Sequence, residues 1–274
     1  MIVEYNLCYN ILKRCMMKSV IFFDVDNTIY NNTLGLIPEQ TKKLIFELSE
    51  KDDVILGLAT GRGLSKLSII ESILPCFTYK VLVNGGVVMK DDEVIYNAPI
   101  EIQDIKEVIG IATQEKLSVG MVGLYDDAVN VWDEKVEKGM TLLRGIAPKV
   151  DENFYLKHPI YQLWLFGEHE ETLLKMGERI PKFKSYPWHY GGADFTYRHI
   201  NKSYGIKKAL ELENDYRLIC VGDGANDVMM IEMADIGIAM NNTRFPELKE
   251  KANHIAPHIM DDQLYTFFKS IHLI

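Results

Sequence analysis

Residues 20–30 read VIFFDVDNTIY. The apolar run Val20, Ile21, Phe22, Phe23 ends abruptly at Asp24, and Asp26 follows one residue later. A short unbroken apolar run of this kind is the pattern of a strand buried within a sheet. Two carboxylates at the tip of one strand repel each other, and one of them tends to hold a proton. The stretch therefore predicts a buried strand whose end carries chemistry.

Working outward, strand-like and helix-like stretches alternate. PEQTKKLIFELSEK (38–51) places Pro38 at a first helical position and Leu44, Ile45 and Leu48 on one face. DVILGLAT (53–60) is a second strand, LSKLSIIESIL (64–74) is helical up to Pro75, and KVLVNGG (80–86) is a third strand ending in a turn. Such repeats predict an α/β fold, a Rossmann-like parallel sheet covered by helices. The rhythm then changes. VVMKDDEVIY (87–96) reads as a hairpin turning at Asp91 and Asp92, and the stretch to residue 190 mixes helices with short aromatic-rich strands. From NKSYGIKKALELEN (201–214) the first rhythm resumes, through RLICVGDG (217–224), IGIAM (236–240) and a last amphipathic helix. The expected organisation is an N-terminal extension over 1–17, a core over 18–86 and 191–274, and an inserted α+β cap over 87–190.

The 274 residues are 47% hydrophobic and 25% charged, with a net charge of -9. That balance suits a packed core and carries no basic footprint for nucleic acid. Cys8, Cys15, Cys76 and Cys220 form no CxxC pair, so neither a zinc site nor a disulfide framework is expected, and the setting predicted is reducing and cytoplasmic. No apolar run approaches membrane-spanning length. The oligomeric state is not encoded in any pattern we can read.

Polar residues gather where the strands end. Asp24 and Asp26 follow the first strand, Thr60, Gly61 and Arg62 the second, and GDGAND (222–227) the strand at 217–221, while Lys202 opens a helix. In open α/β sheets, ligands bind at that carboxyl edge. One edge would thus collect Asp24, Asp26, Asp223 and Asp227. An all-oxygen set of this kind suits a hard cation, with Mg²⁺ the expected ion. The Thr60 hydroxyl, backbone N–H groups beside Gly61 and the Lys202 ammonium would cradle a phosphate. A carboxylate can attack phosphorus to give an aspartyl-phosphate, and a second carboxyl can move the proton.

DVDNT, LATGR, the NK that opens a helix, and GDGAND together resemble the four motifs of the haloacid dehalogenase-like (HAD) phosphatases. Their order, the inserted block and the VNGG turn resemble the Cof-type subfamily with an α/β cap. The resemblance implies that Asp24 is the nucleophile and a Mg²⁺ ligand. It implies that Asp26 is the general acid/base, with its backbone carbonyl on the metal. Thr60 and Lys202 would bind the transferring phosphoryl group, and Asp223 and Asp227 would serve the metal. Gly61, Arg62, Asn84, Gly85 and Asn226 would lie on the substrate side. Asn27 and Ser203 stand where the family usually has glycine. The implied function is Mg²⁺-dependent hydrolysis of a small phosphorylated metabolite, with a sugar phosphate as the default. A phosphomutase or phosphotransferase, or a non-enzymatic phosphate-binding regulator, is the alternative. In the inserted block, Trp188, His189, Tyr190, Asp194 and Arg198 read as packing and linker chemistry rather than substrate contacts, and Trp132 and Trp164 as core.

Overall fold

The computed structural model describes residues 18–141, 147–188 and 191–274. The expected N-terminal extension over 1–17, and His189 and Tyr190, lie outside the described residues. Along the chain run β1 (Lys18–Phe23), α1 (Glu39–Ser49), β2 (Val54–Ala59), β3 (Tyr79–Leu82), β4 (Val87–Lys90) and β5 (Glu93–Asn97). Then come α2 (Ile102–Gln114), β6 (Ser118–Val122), β7 (Asp127–Val129), α3 (Glu134–Met140) and β8 (Lys149–Val150). β9 (Gln162–Phe166), α4 (Glu170–Arg179), β10 (Phe183–Pro187) and β11 (Gly192–Tyr197) follow. The chain closes with α5 (Lys202–Ala209), β12 (Tyr216–Gly222), α6 (Val228–Met233), β13 (Ile236–Met240), α7 (Pro246–Lys251), β14 (His254–Ala256) and α8 (Leu264–Ser270).

The strands form two sheets. The larger has the order β14-β13-β12-β1-β2-β3-β4-β5. Its strands from β14 to β3 are parallel, and β4 and β5 continue it as an antiparallel hairpin. β1 sits between β12 and β2, which is why its apolar run is continuous: both faces are covered. Ile21 and Phe23 pack with Leu44, Ile45 and Leu48 of α1 and Phe268 of α8. Val20 and Phe22 pack on the other side with Ile206 of α5, Met230 and Ile231 of α6, and Leu248 of α7.

The smaller sheet has the order β10-β11-β9-β6-β7-β8. One face buries Val119, Met121, Leu163, Leu165 and Phe195 against Ile105 and Val108 of α2 and Leu173 and Met176 of α4. From the other face Val122, Val129, Trp164 and Phe166 join the same apolar cluster as Phe23 and Leu67 of the larger sheet's layer. The two sheets are thus cemented together, not merely tethered. Lys66 Nζ and Asp127 Oδ1 lie 3.2 Å apart across the join, both buried, and the N–H of Leu64 donates to the Leu124 carbonyl at 2.8 Å. At the opposite rim the Arg244 guanidinium reaches Glu170 and the Trp188 carbonyl, each at 2.8 Å.

The expected boundaries at 86/87 and 190/191 do not coincide with the sheets. The hairpin of β4 and β5 belongs to the larger sheet, because β4 pairs with β3. The change of rhythm at Val87 marks a change from parallel to antiparallel pairing, not a change of unit. β11 in turn belongs to the smaller sheet, where it pairs with β9 and β10. The helical stretch expected over 64–74 is wound more tightly than an α-helix, as 3₁₀ turns over Leu64–Ile70 and Leu74–Cys76. Trp132 is 44% exposed, against the expectation of a core residue, while Trp164 is buried. No helix among the described residues is long and apolar enough to cross a membrane.

Candidate active site

Asp24 follows β1, Thr60 follows β2, Asp223 follows β12 and Asn242 lies just beyond β13. Parallel pairing therefore brings four chain-distant turns to one sheet edge, as the strand pattern requires. Oxygens of Asp24, Asp223 and Asp227 lie within 4.8 Å of one another. The ammonium of Lys202, at the start of α5, donates to Asp24 Oδ1 and Asp227 Oδ1, both at 2.6 Å, and is fully buried. Asn201 holds that helix start by accepting the Tyr204 N–H at 3.0 Å, a side-chain N-cap. Ser203, in place of the family's glycine, donates its hydroxyl to the same Asn201 oxygen.

The charges are unequal. Burial raises the Asp24 carboxyl to about 7; Lys202 opposes the rise, and Asp227 and Asp26 add to it. Burial and the Asp24 and Asp227 charges likewise push Asp223 well above the usual carboxylate range. Burial would depress the Lys202 ammonium, but Asp227 and Asp24 outweigh it and push it up. One ammonium serves three carboxylates, Asp24 and Asp227 buried and Asp223 half-buried, so negative charge is left uncompensated when all three ionise. The donors are all oxygen and within coordinating reach of one point, so the residues fit a hard divalent cation. Asp227 is the most committed of the three. Its second oxygen accepts the N–H groups of Asp223 and Gly224 at 2.9 and 2.8 Å, so its main work is to hold Lys202 and the turn. Asp223 is itself steadied by the Asn242 amide at 3.1 Å.

Asp26 stands apart from this cluster. The Arg62 guanidinium clamps both its oxygens, Nε at 2.8 Å and a terminal nitrogen at 2.6 Å. Burial would raise the Asp26 carboxyl, yet the charge and hydrogen bonds of Arg62 hold it below its ordinary value. Of the two carboxyls at the strand tip it is therefore Asp24, not Asp26, that is pushed towards holding a proton, while a guanidinium offsets the charge of Asp26. Arg62 lines the cleft as expected, but its polar edge is spent on Asp26 rather than left open to a ligand. Asn27 has a φ of +54°. Asn tolerates that left-handed conformation better than most residues, which explains how it replaces glycine in this turn.

Thr60 is wholly buried and accepts the Arg62 N–H at 3.1 Å. Gly61, Arg62 and Asn226 line the cleft in front of the carboxylates, whereas Thr60, Asn84, Gly85 and Lys202 lie behind its surface. Asn84 is a bracket. Its amide nitrogen donates to Asp194 at 2.7 Å and Gln162 at 2.8 Å, and its oxygen accepts from Asn226 at 2.8 Å. Gly85 has a φ of +94°, and a Cβ there would sit 2.3 Å from the Asn201 carbonyl. It is a close-approach position that seats the Lys202 helix, which corrects the expectation of a substrate contact. Gly85→Ala is expected to destabilise the fold by about 3 kcal/mol or more, read as a lowered urea midpoint.

Asp194 was legible only as part of a polar-aromatic stretch. The structure puts it at the site, on β11, 5% exposed. It accepts from Asn84 and from the Gln162 amide at 2.7 and 2.8 Å. It approaches Gly61 so closely that a Cβ there would meet it at 2.7 Å. Burial raises its carboxyl to about 7 despite the hydrogen bond from Asn84. A folded-state value above the unfolded 3.8 favours the protonated form in the native state. Its contribution is greatest at low pH and is lost as pH rises through about 7. The stability of wild type minus that of Asp194→Asn should fall by about 2 kcal/mol between pH 5 and pH 8, measured by urea melts at each pH. The strand residue Gln162, and Asn242 and Arg244 beyond β13, were also missed. Asn242 obeys the sheet-edge rule and could have been found by it.

The cleft has a volume of about 160 Å³, the space of one small ring. Its core wall carries Asp24, Asp26, Asp223 and Asn226, and its cap wall Met140, Trp164, Tyr186 and Trp188. A sequence model of the haloacid dehalogenase-like hydrolase family matches residues 21–268. The chain belongs to the haloacid dehalogenase-like hydrolases. It is 31% identical over 265 residues to a Bacillus subtilis (strain 168) protein named "Putative phosphatase YkrA", covering 94% of this chain and all of that one. Among solved structures, the HAD subclass IIB sugar phosphatase BT4131 superposes with a TM-score of 0.83 at 23% identity, covering 94% of this chain and 100% of that chain. BT1666 from Bacteroides thetaiotaomicron gives 0.83 at 22%, covering 94% and 97%. These two likenesses show the HAD fold. The Cof-type resemblance read from the motifs stands, and the chain is an enzyme of the HAD phosphatase type.

Proposed function

We propose that this HAD enzyme hydrolyses a small phosphorylated metabolite through an aspartyl-phosphate on Asp24, with Mg²⁺ as its cation. The carrying observation is the meeting of Asp24, Asp223 and Asp227 around Lys202 at one sheet edge. Asp24 and Asp223 are the residues that would hold the ion, with the Asp26 backbone carbonyl beside them. A bound divalent cation neutralises these carboxylates and the charge on the transferring phosphoryl oxygens.

The chain's own groups divide the rest. Lys202 fixes the Asp24 carboxylate and offsets phosphoryl charge. A free oxygen of Asp24 bonds to phosphorus as the ester P–O bond breaks. Asp26, once released from Arg62 and protonated from solvent, gives that proton to the departing oxygen and then takes one from the attacking water. That water splits the aspartyl-phosphate and regenerates Asp24 and free phosphate. Asn84, with Asn226 and Asp194, ties the core turns to the cap wall, which shields the reaction from bulk water. The small ring-sized cleft and the sugar-phosphatase neighbour support a sugar phosphate as the substrate. A cytoplasmic setting fits the free thiols of Cys76 and Cys220.

The test is a panel of phosphorylated metabolites assayed for phosphate release with and without Mg²⁺. Metal-dependent release without any added acceptor or bisphosphate supports a phosphatase. Turnover only with an acceptor would favour a phosphotransferase or mutase.

A further inference from the structure

Tyr186 lies on β10, directly opposite Asp194 of β11, and is one of the residues lining the cleft. It is 4% exposed. Its hydroxyl oxygen is sealed from water and has no hydrogen-bond partner among the described residues. Burial, and then the Asp194 charge, push its phenol up to about 12, so it stays a neutral donor at any working pH. Asp194, although directly opposite, makes no hydrogen bond to it and takes amide hydrogens from Asn84 and Gln162 instead. A buried hydroxyl left unpaired is costly. Nothing in the fold requires the oxygen there, since a phenylalanine would fill the same volume. The surrounding cap wall carries Met140, Trp164 and Trp188, with Asp194 as a further polar group beside Tyr186.

We propose that the Tyr186 hydroxyl, closed off from water in this state, is a specificity-determining donor that bonds an oxygen on the leaving group when the substrate enters and the wall around Tyr186 shifts to expose it. This rests on the phosphatase function proposed above and adds to it a chemical requirement. Asp24 and Lys202 hold the phosphoryl end from the core side, while Tyr186 belongs to the cap wall, where the organic part of a phosphate ester must lie. The partner is then a hydroxyl or carbonyl oxygen near the ester. Substrates lacking one leave the Tyr186 hydroxyl unpaired and are disfavoured.

Two measurements on Tyr186→Phe test this. The first compares kcat/KM for phenyl phosphate, whose leaving group has no oxygen beyond the ester, with that for the oxygenated ester of the panel that wild type hydrolyses fastest. The variant should lose about 10-fold more on the oxygenated ester than on phenyl phosphate. Equal losses on both would place the hydroxyl on the phosphoryl group and overturn the proposal, as would no loss on either. A wild type that turns over phenyl phosphate but no oxygenated ester would also overturn it. A wild type inactive on every ester would instead remove the phosphatase function, and the proposal with it. The second measurement is the melting temperature of ligand-free protein. Removing an unpaired hydroxyl should leave it unchanged or raised, whereas a fall of several degrees would show a structural bond and overturn the proposal.

Discussion

Asp24→Asn is expected to cut phosphate release by at least about 10⁴-fold while leaving a folded protein. The amide cannot act as a nucleophile and is a poor ligand for a hard cation, so two functions are lost with one atom. Folding should survive for a reason visible in the charges. Burial pushes the Asp24 carboxyl to about 7, so ionising it in the native state is costly, and the amide removes that cost. Lys202 keeps Asp227 at 2.6 Å and is not stranded. The measurement is phosphate release on the best panel substrate, paired with circular dichroism and a melting curve. Wild-type turnover in the variant would contradict the mechanism.

Metal removal should be nearly as severe. Chelator-treated protein is expected to lose more than about 100-fold in turnover and to regain it with Mg²⁺, because one ammonium cannot balance three carboxylates and a phosphate dianion. A second readout is independent of activity. Binding to the native state stabilises it by about 2.7 kcal/mol when Mg²⁺ stands at 100 times its dissociation constant. The melting temperature should therefore rise with Mg²⁺ in wild type. In Asp223→Asn the rise should vanish over the same concentrations, because the Asn242 amide that steadies this side chain cannot replace its charge. A rise that persists in Asp223→Asn would place the ion elsewhere.

Much of this was legible in the sequence, for a definite reason. Strands buried on both faces advertise themselves as apolar runs, and their ends mark the sheet edge. Asp24, Thr60 and Asp223 could thus be assigned to that edge from the pattern of the chain alone, and Lys202 and Asp227 fell beside them. What escaped depends on pairing across distance. The hairpin of β4 and β5 looked like the start of a new unit because local rhythm cannot tell which sheet an antiparallel pair extends. Asp194, Gln162 and Tyr186 reach the core turns only after the smaller sheet folds back over them, and no spacing near residues 162, 186 or 194 encodes that. The Arg62 clamp on Asp26 was hidden in the same way. Arg62 sits in a motif that suggests anion binding, and only geometry shows which anion it binds.

The most direct test is to mix the enzyme with a good substrate, quench in acid within a turnover, and map the protein by mass spectrometry. The expected result is one phosphoryl group on the peptide bearing Asp24, absent from Asp24→Asn and accumulating in Asp26→Asn, where release of the leaving group outpaces activation of water. A protein that turns over substrate while Asp24 is never labelled, or that carries the label on another residue, would contradict nucleophilic attack by Asp24.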